Sequence, residues 1–325
     1  MKQNSLFSMM THIDTMLMVL FQTIWLDVNA KSIQVDVAGT ISSHGCAPVQ
    51  SWGGANTVNG GGSGGGHGAG GGQGKNQPIV GRPHGSLYQP SEFGTKGGDA
   101  LSAPTHTGGA GGGIVKLVGT SKVEIDGDVI CDGGDAYGYR AGGGAGGSIY
   151  INTQVFQGQG RLLVRGGSVP KGSHNENSVG GGGGGGRISI WFQQSLFTGS
   201  ALAHGGNSNF ECGGAGTILW RNTTDKYNRL VVNNYDKCTP LISHIDFNNL
   251  DNEHQGRDSF HTWLFDRGDD HNHKLDEVEL SGHAHLALYR QNSDVFNQTL
   301  YIGKTVGDKT GILHVGPQQV RKHIM

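Results

Sequence analysis

The sequence predicts an all-β protein, specifically a right-handed parallel β-helix or solenoid with long glycine-rich loops and little or no helix. Three observations carry this prediction. Short segments of alternating β-branched and aromatic residues recur along the chain, and each one follows a run of glycines. The third observation is the spacing of these units, 30 to 39 residues, which is typical of solenoids and propellers. Propeller blades need four strands per unit, whereas two or three fit here, so stacked coils are favoured.

Glycine dominates the composition, with 60 glycines and 8 prolines in 325 residues. Average usage is about 7% glycine. The glycines do not follow the strict three-residue period of collagen, which excludes that fold. Because alternating apolar residues separate the glycine runs, the composition also argues against a disordered linker.

Four glycines mark the same phase of successive units, each directly before a first strand. They are Gly113, Gly147, Gly186 and Gly216. The steps between them are 34, 39 and 30 residues. We expect the strands that follow them to stack on one another, because no single coil can bury its own apolar face.

Within one unit, residues 149–151 and 162–164 alternate as strands, so Ile149, Ile151, Leu162 and Val164 are predicted to point inward. Glycines suit the coil corners, where the backbone needs a positive φ. Longer runs such as residues 180–186 exceed what a corner needs. They are predicted either to be mobile loops or to pack side by side as extended polyglycine segments.

Three regions are expected. Residues 1–30 contain an apolar segment at 16–26 and a small-residue cleavage pattern at 28–30, which predicts a signal peptide. The alternatives are a first β coil entered mid-fold, or a stray segment from a mis-set start of a longer protein. Residues 31–235 form the glycine-rich solenoid. Residues 236–325 form further β coils or a small β-domain, and the missing capping signal predicts that the chain is a fragment of a larger protein.

Charge and cysteine usage narrow the function classes. The net charge is −2 with scattered basic residues, so no nucleic-acid partner is expected. No apolar run reaches the roughly 18 residues of a membrane span. Four widely spaced cysteines are disulfide candidates with three connectivities, or else buried thiols: Cys46, Cys131, Cys212 and Cys238.

No cofactor is firmly predicted, but two metals are considered. On a strand, His271 would face the same way as His273, and His283 the same way as His285; two such pairs suit Zn²⁺ or another transition metal. The alternative is a solvated polar loop whose histidines never converge. Calcium is considered at residues 133–135, which faintly match a calcium-binding repeat that lacks its nine-residue period here.

A polysaccharide-cleaving enzyme would need carboxylates grouped on neighbouring coils. The carboxylates of the glycine-rich region cluster in one coil and do not recur in the next: Glu124, Asp126, Asp128, Asp132 and Asp135. This pattern argues against a catalytic groove, and no catalytic residue is predicted. Asn222 and Asn297 stand in glycosylation sequons, which function only in a secreted chain.

Residues 142–151, 184–190 and 213–218 resemble a glycine-rich repeat family found in large secreted and cell-surface proteins. The resemblance extends over residues 32–232. It implies an extracellular β-solenoid-like module, generally without an assigned activity. The expected function is therefore an extracellular structural or adhesive scaffold with glycan or protein partners. The alternative is a carbohydrate-active β-helix protein, either a lyase or hydrolase or a glycan-binding module.

Overall fold

The structure, a computed structural model, describes residues 6–10, 15–49, 53–171, 179–237, 261–264, 273–287 and 300–314. Every regular element in these ranges is a β-strand, which confirms the all-β prediction. A search of the described residues finds no helix with the length and apolar character needed to cross a membrane. Two sheets contain all of the described strands.

The larger sheet has fourteen strands. Those in its first half are β1 (Leu6–Met10), β2 (Thr15–Gln22), β3 (Trp25–Ser42), β4 (Ile114–Ile125), β5 (Asp128–Ile130), β6 (Ser148–Gly158) and β7 (Arg161–Leu163). The others are β8 (Arg187–Phe192), β9 (Gln194–Phe197), β10 (Ser200–Leu202), β11 (Thr217–Asn222), β12 (Tyr227–Asn233), β14 (His273–Ser281) and β16 (Leu300–Val306). The smaller sheet contains β13 (His261–Trp263), β15 (His285–Ala287) and β17 (Ile312–His314).

Nearly all neighbouring strands are parallel. The main path through the larger sheet runs β10-β7-β5-β3-β4-β6-β8-β11-β12-β14-β16. The hairpin between β11 and β12 is antiparallel, and β14 and β16 continue parallel to β12. The sheet therefore extends through the boundary expected at residue 235.

The predicted phase of the repeat is confirmed by the register. Four residues stand side by side on β4, β6, β8 and β11: Ile114, Ser148, Arg187 and Thr217. Each directly follows one of the four glycines that mark the repeat. The backbone N–H of Ser148 donates to the Gly113 carbonyl, and that of Arg187 to the Gly147 carbonyl, each at 3.0 Å.

The apolar core lies on one face of these strands. Ile149, Ile151, Leu162 and Val164 are all fully buried there, as the alternation predicts. Burying a side chain of this size stabilises the fold by roughly 1.5–3 kcal/mol. A second apolar cluster, which includes Leu230, Val278 and Leu286, packs along β12, β14 and β15.

The glycine runs form a buried bundle of extended segments. Residues 60–72, 141–147 and 180–186 are buried throughout. The central segment 180–186 donates backbone hydrogen bonds to segments 62–65, 211–214 and 164–167 and to the carbonyl of Tyr139. Its carbonyls accept from segments 143–146 and 69–72 and from the N–H groups of Gly206 and Thr217. Six other parts of the chain thus surround this segment: 62–65, 69–72, 139–146, 164–167, 206 and 211–217.

The hydrogen bonds of the central segment repeat every three residues. Gly181 and Gly184 donate to the carbonyls of Gly62 and Gly65, each at 2.9 Å. The N–H groups of Gly143 and Gly146 donate in turn to Gly181 and Gly184. A helix of the polyproline II type has three residues per turn and no internal hydrogen bonds, so its backbone groups are available to neighbours. The central segment has this period.

Close approach explains why every residue of segment 180–186 is glycine. With neighbours on all three faces, no position has room for a side chain. A Cβ on Gly183 would overlap the carbonyl oxygen of Gly144, and a Cβ on Gly185 that of Ala203. Glycines with a left-handed φ lie elsewhere, as at Gly45 and Gly158. Of the two alternatives predicted for the long glycine runs, these buried runs show the second: they pack side by side as extended segments.

The N-terminal segment contributes strands to the larger sheet. β1 pairs in parallel with residues 25–29 of β3, and β2 with residues 32–42 of the same strand. The apolar segment that predicts a signal peptide, residues 16–26, thus contains most of β2 and the start of β3. This is the arrangement expected of a first β coil; cleavage of residues 1–30 stays a prediction.

Candidate metal centre

Three strands of three residues each bring histidines together. In the smaller sheet, β15 lies between β13 and β17, and all pairs are parallel. His261 is the ladder partner of His285, while His314 stands beside Ala287. Because side chains alternate along a strand, His285 and Ala287 share one face of β15, and Leu286 points to the opposite face, where it joins the second apolar cluster.

The three imidazole rings converge over the middle strand. Ring centroids lie 4.8 Å apart for His261 and His314, 5.0 Å for His285 and His314, and 5.7 Å for His261 and His285. β13 and β17 are two strand spacings apart, which is about 9.5 Å. The rings of His261 and His314 are about half that distance apart, so both side chains lean toward a common point. We call these three residues the histidine cluster.

The nitrogens of the cluster are close enough to share one ligand. His285 Nδ1 and His314 Nε2 are 3.0 Å apart, within hydrogen-bond distance. One ring nitrogen from each histidine can be chosen such that all three lie within 4.8 Å of one another. His261 and His285 are 1% and 2% exposed, whereas His314 is half-buried, so the cluster is open on the His314 side.

Burial favours the neutral imidazole at His285 and at His314. Desolvation, with smaller contributions from the neighbouring His314 and His283, lowers the pKa of His285 to about 4. Desolvation also lowers the pKa of His314. A neutral imidazole has a free lone pair on one nitrogen, which is the form that binds metal ions.

The predicted histidine pairs are placed differently from one another. His271 lies outside the described residues, and His273 is the first residue of β14, away from the smaller sheet. His283 has a φ of 59° in the turn before β15, and its Nδ1 is 2.8 Å from Asp236 Oδ1. Of the three that the structure describes, only His285 belongs to the cluster.

Sequence reasoning missed His261 and His314. Both lie in short strands, His261–Trp263 and Ile312–His314. The available signal was a histidine at one end of each of three short apolar strands. It could be used only with knowledge that these strands are neighbours.

The described cysteines show no pair at disulfide distance. Cys46 and Cys131 are free thiols. Burial, and secondarily the charge of Asp132, raises the pKa of Cys131 well above its usual range. Cys212 packs near the backbone of Ser208 and Lys237. Cys238 lies outside the described residues, so its part in a disulfide stays a prediction.

Four of the five clustered carboxylates bind the next repeat unit of the chain at a constant offset of 33 residues. Asp128 forms a two-point ion pair with Arg161, and Asp132 one with Arg165. Asp126 and Asp135 accept hydrogen bonds from the backbone N–H of Gln159 and Ser168. Acids and arginines do converge on adjacent strands, as a polysaccharide-cleaving site would require, but these carboxylates are each bonded to the neighbouring strand.

The remaining carboxylate, Glu124, and the calcium candidate, Asp135, are also bonded to other groups of the fold. Glu124 pairs with Lys122 on its own strand at 2.8 Å, and hydrogen bonds from Lys122 and Gln157 lower its pKa. The Oδ1 of Asp135, proposed for calcium, accepts the Ser168 N–H at 2.7 Å. These groups act within the sheet, so the histidine cluster is the better candidate for a metal.

Of the two sequon asparagines, Asn222 is the last residue of β11, at the start of the hairpin turn. Its side-chain oxygen accepts hydrogen bonds from the N–H groups of Thr224 and Asp225, and its Nδ2 donates to Asp225. Asn297 lies outside the described residues.

Comparison with known proteins identifies no relative of this chain. No protein-family model, no curated protein sequence and no solved structure matches the chain significantly. The candidate centre is therefore argued from its own geometry.

Proposed function

We propose that this chain is a non-catalytic structural module of an extracellular or cell-surface protein, and that its parallel strands are the coils of a β-solenoid. One observation carries the proposal: the central glycine segment 180–186 is hydrogen-bonded to six other parts of the chain. Such a segment offers no side chain to a substrate. What it supplies is a fixed spacing between the strands on either side of it.

The bundle supports a rigid scaffold for a physical reason. Ordering glycine costs more backbone entropy than ordering any other residue. Closely packed backbone hydrogen bonds offset that cost only when the neighbouring segments are held in place. The glycine segments thus favour one arrangement of the whole fold. Glycan or protein partners would then bind the exposed strands and turns, not the buried glycine runs.

An extracellular location is supported by the resemblance to secreted glycine-rich repeats and by the placement of one sequon. Asn222 stands at the β11–β12 turn, and the residues that follow it, Thr224 and Asp225, are exposed. A transferred glycan at such a turn extends into solvent without disturbing the sheet.

The location is tested by secretion of the full chain from eukaryotic cells, followed by intact mass measurement. The expected product carries glycan mass that decreases in Asn222→Gln. Retention inside the cell, or no change in mass in Asn222→Gln, would contradict an extracellular role.

The scaffold itself is tested by amide hydrogen exchange on the purified chain. Backbone N–H groups of segment 180–186 should exchange only through global unfolding, as slowly as those of β8. Exchange of this segment much faster than β8 would show that the glycine bundle opens on its own, which is incompatible with a rigid scaffold.

A further inference from the structure

We propose that His261, His285 and His314 bind one divalent transition-metal ion, with Zn²⁺ as the preferred occupant. The proposed role is structural: the ion fastens the three-stranded sheet into one unit beside the glycine bundle. This site is separate from the scaffold role, since its three ligands lie in the smaller sheet and not in the larger sheet or the glycine bundle.

The geometry of the cluster fits a tetrahedral ion. Zinc binds imidazole nitrogens at 2.0–2.1 Å, so two nitrogens on one tetrahedral ion are about 3.3 Å apart. The nitrogens of His285 and His314 are 3.0 Å apart, and the chosen three all lie within 4.8 Å. The required separation falls inside this range, so rotation of the rings is enough and the strands need not move.

The donor set selects the kind of metal. Three imidazoles suit Zn²⁺, Cu²⁺ and Ni²⁺, whereas Ca²⁺ and Mg²⁺ prefer oxygen ligands. His314 is half-buried while the other two are covered, so the fourth position faces the His314 side. A water molecule or an added side chain can complete the tetrahedron there.

The backbone around His261 explains what the ion would hold together. The His261 carbonyl accepts a hydrogen bond from the Gly70 N–H at 2.9 Å, and Thr262 forms a bridge with Ala69. The hydroxyl of Thr262 donates to the carbonyl of Ala215 in another glycine-rich segment. β13 is thus attached to the glycine bundle, and an ion shared with His285 and His314 would attach β15 and β17 as well.

The strands of the smaller sheet are short, so a metal ion that cross-links them would stabilise the sheet. Each strand of the smaller sheet has three residues, at the lower limit for strands in globular proteins. Few ladder hydrogen bonds hold so short a sheet. A metal that joins one side chain from every strand adds stability that the ladder lacks, because binding to the folded state alone favours that state.

The test is zinc titration of the purified full chain after removal of metal with a chelator, by calorimetry and by the visible absorption of Co²⁺ used as a probe. The wild type should bind one ion with a tetrahedral Co²⁺ spectrum, and zinc should raise its Tm. His285→Ala and His314→Ala should each weaken zinc binding by more than about 100-fold, beyond the loss usual for outer-shell partners.

Two further variants keep the test decisive. His314→Cys preserves a ligand on the exposed side, so it should still bind Co²⁺ and add a thiolate absorption band. His283→Asn is the matched control: it lies two residues from His285, outside the cluster, and asparagine tolerates its left-handed φ. It should bind zinc as the wild type does.

The outcomes separate clearly. No one-to-one binding by the wild type, or unchanged affinity in His314→Ala, would overturn the proposal. Equal loss in His283→Asn and His285→Ala would also overturn it, since the binding would then not depend on the cluster. If His285→Ala fails to fold, the thiolate band of His314→Cys still reports whether the ion sits at this position.

Discussion

Asp132 and Arg165 join two neighbouring segments of the sheet through three hydrogen bonds. Asp132 Oδ1 accepts the Arg165 backbone N–H at 2.6 Å, and Oδ2 accepts from the guanidinium Nε and Nη2 at 3.0 Å and 2.6 Å. The carboxylate is almost fully buried, whereas the Arg165 side chain is 39% exposed. The same offset links Asp128 to Arg161, whose side chain is 58% exposed.

Removing the Asp132 carboxylate should therefore destabilise the fold more than removing the Asp128 carboxylate. Asp132→Ala leaves the Arg165 N–H without its acceptor, and we expect a loss of about 2 kcal/mol in the free energy of unfolding. Asp128→Ala, the matched control, should cost less than about 1 kcal/mol because its ion pair is more solvent-screened. Urea unfolding measures both. Equal losses would show that the burial of Asp132 does not matter.

Gly183→Ala should be among the most damaging single substitutions in the chain. The added methyl overlaps the Gly144 carbonyl in a bundle with no free space, and overpacking of this kind costs about 3 kcal/mol or more. Gly134→Ala is the control, because its Cβ would approach the Ala110 backbone no closer than 3.3 Å, a contact that a shift of a few tenths of an ångström relieves. Thermal unfolding of the two variants should differ clearly. A stable Gly183→Ala would mean that the bundle is loosely packed.

Acid should destabilise the fold through His67. This residue is fully buried, its Nδ1 lies 2.9 Å from the Gly146 carbonyl, and its Nε2 has no hydrogen-bond partner among the described residues. Burial, followed by the charges of His84 and Arg187, lowers the pKa of His67 well below its usual value of 6.5. The unfolded chain thus takes up a proton first, so stability is present above about pH 6.5 and falls as pH decreases below it.

The size of this effect is bounded by one proton. His67 alone can lower the free energy of unfolding by at most about 1.4 kcal/mol per pH unit. We expect His67→Gln to have a shallower loss of stability than the wild type between about pH 6.5 and about pH 5. If the free energy of unfolding of the wild type and of His67→Gln fell equally with decreasing pH, the assignment to His67 would be contradicted.

Alkylation of the native protein should distinguish two cysteines. Cys131 is fully buried and its thiol pKa is raised well above the usual range by that burial, so little thiolate is present to react. Cys46 is half-buried, and its thiol donates to the His44 carbonyl at 3.1 Å. Peptide mass spectrometry after brief iodoacetamide treatment should find Cys46 modified and Cys131 unmodified. Rapid labelling of Cys131 would indicate local opening of the sheet.

The sequence was sufficient for the strand register because that information is local. A glycine run followed by alternating apolar residues marks the start of each strand, and Gly113 and Gly147 identify positions that later stand side by side. The glycine bundle could not be predicted in the same way. A segment enclosed on all three faces needs glycine at every position, so its three-residue period leaves no trace in the sequence.

The histidine cluster was only partly accessible for a different reason. His283 and His285 would share a face if both belonged to one strand, but β15 begins at His285 and His283 lies in a left-handed turn before it. The true neighbours of His285 come from strands far away in the chain. Periodicity reports which way a side chain points on its own strand, and it does not report which strands are adjacent.

The hydrogen bond from Gly181 to Gly62 has a consequence for how the chain folds. In a linear repeat array each unit contacts only the next, so units can be deleted or can unfold one at a time. Here segments 62–65 and 69–72 reach across to bind a run contributed by a much later unit. Such long-range contacts are formed slowly and together. The glycine-rich region should consequently resist shortening by whole repeats and unfold in a single sharp transition.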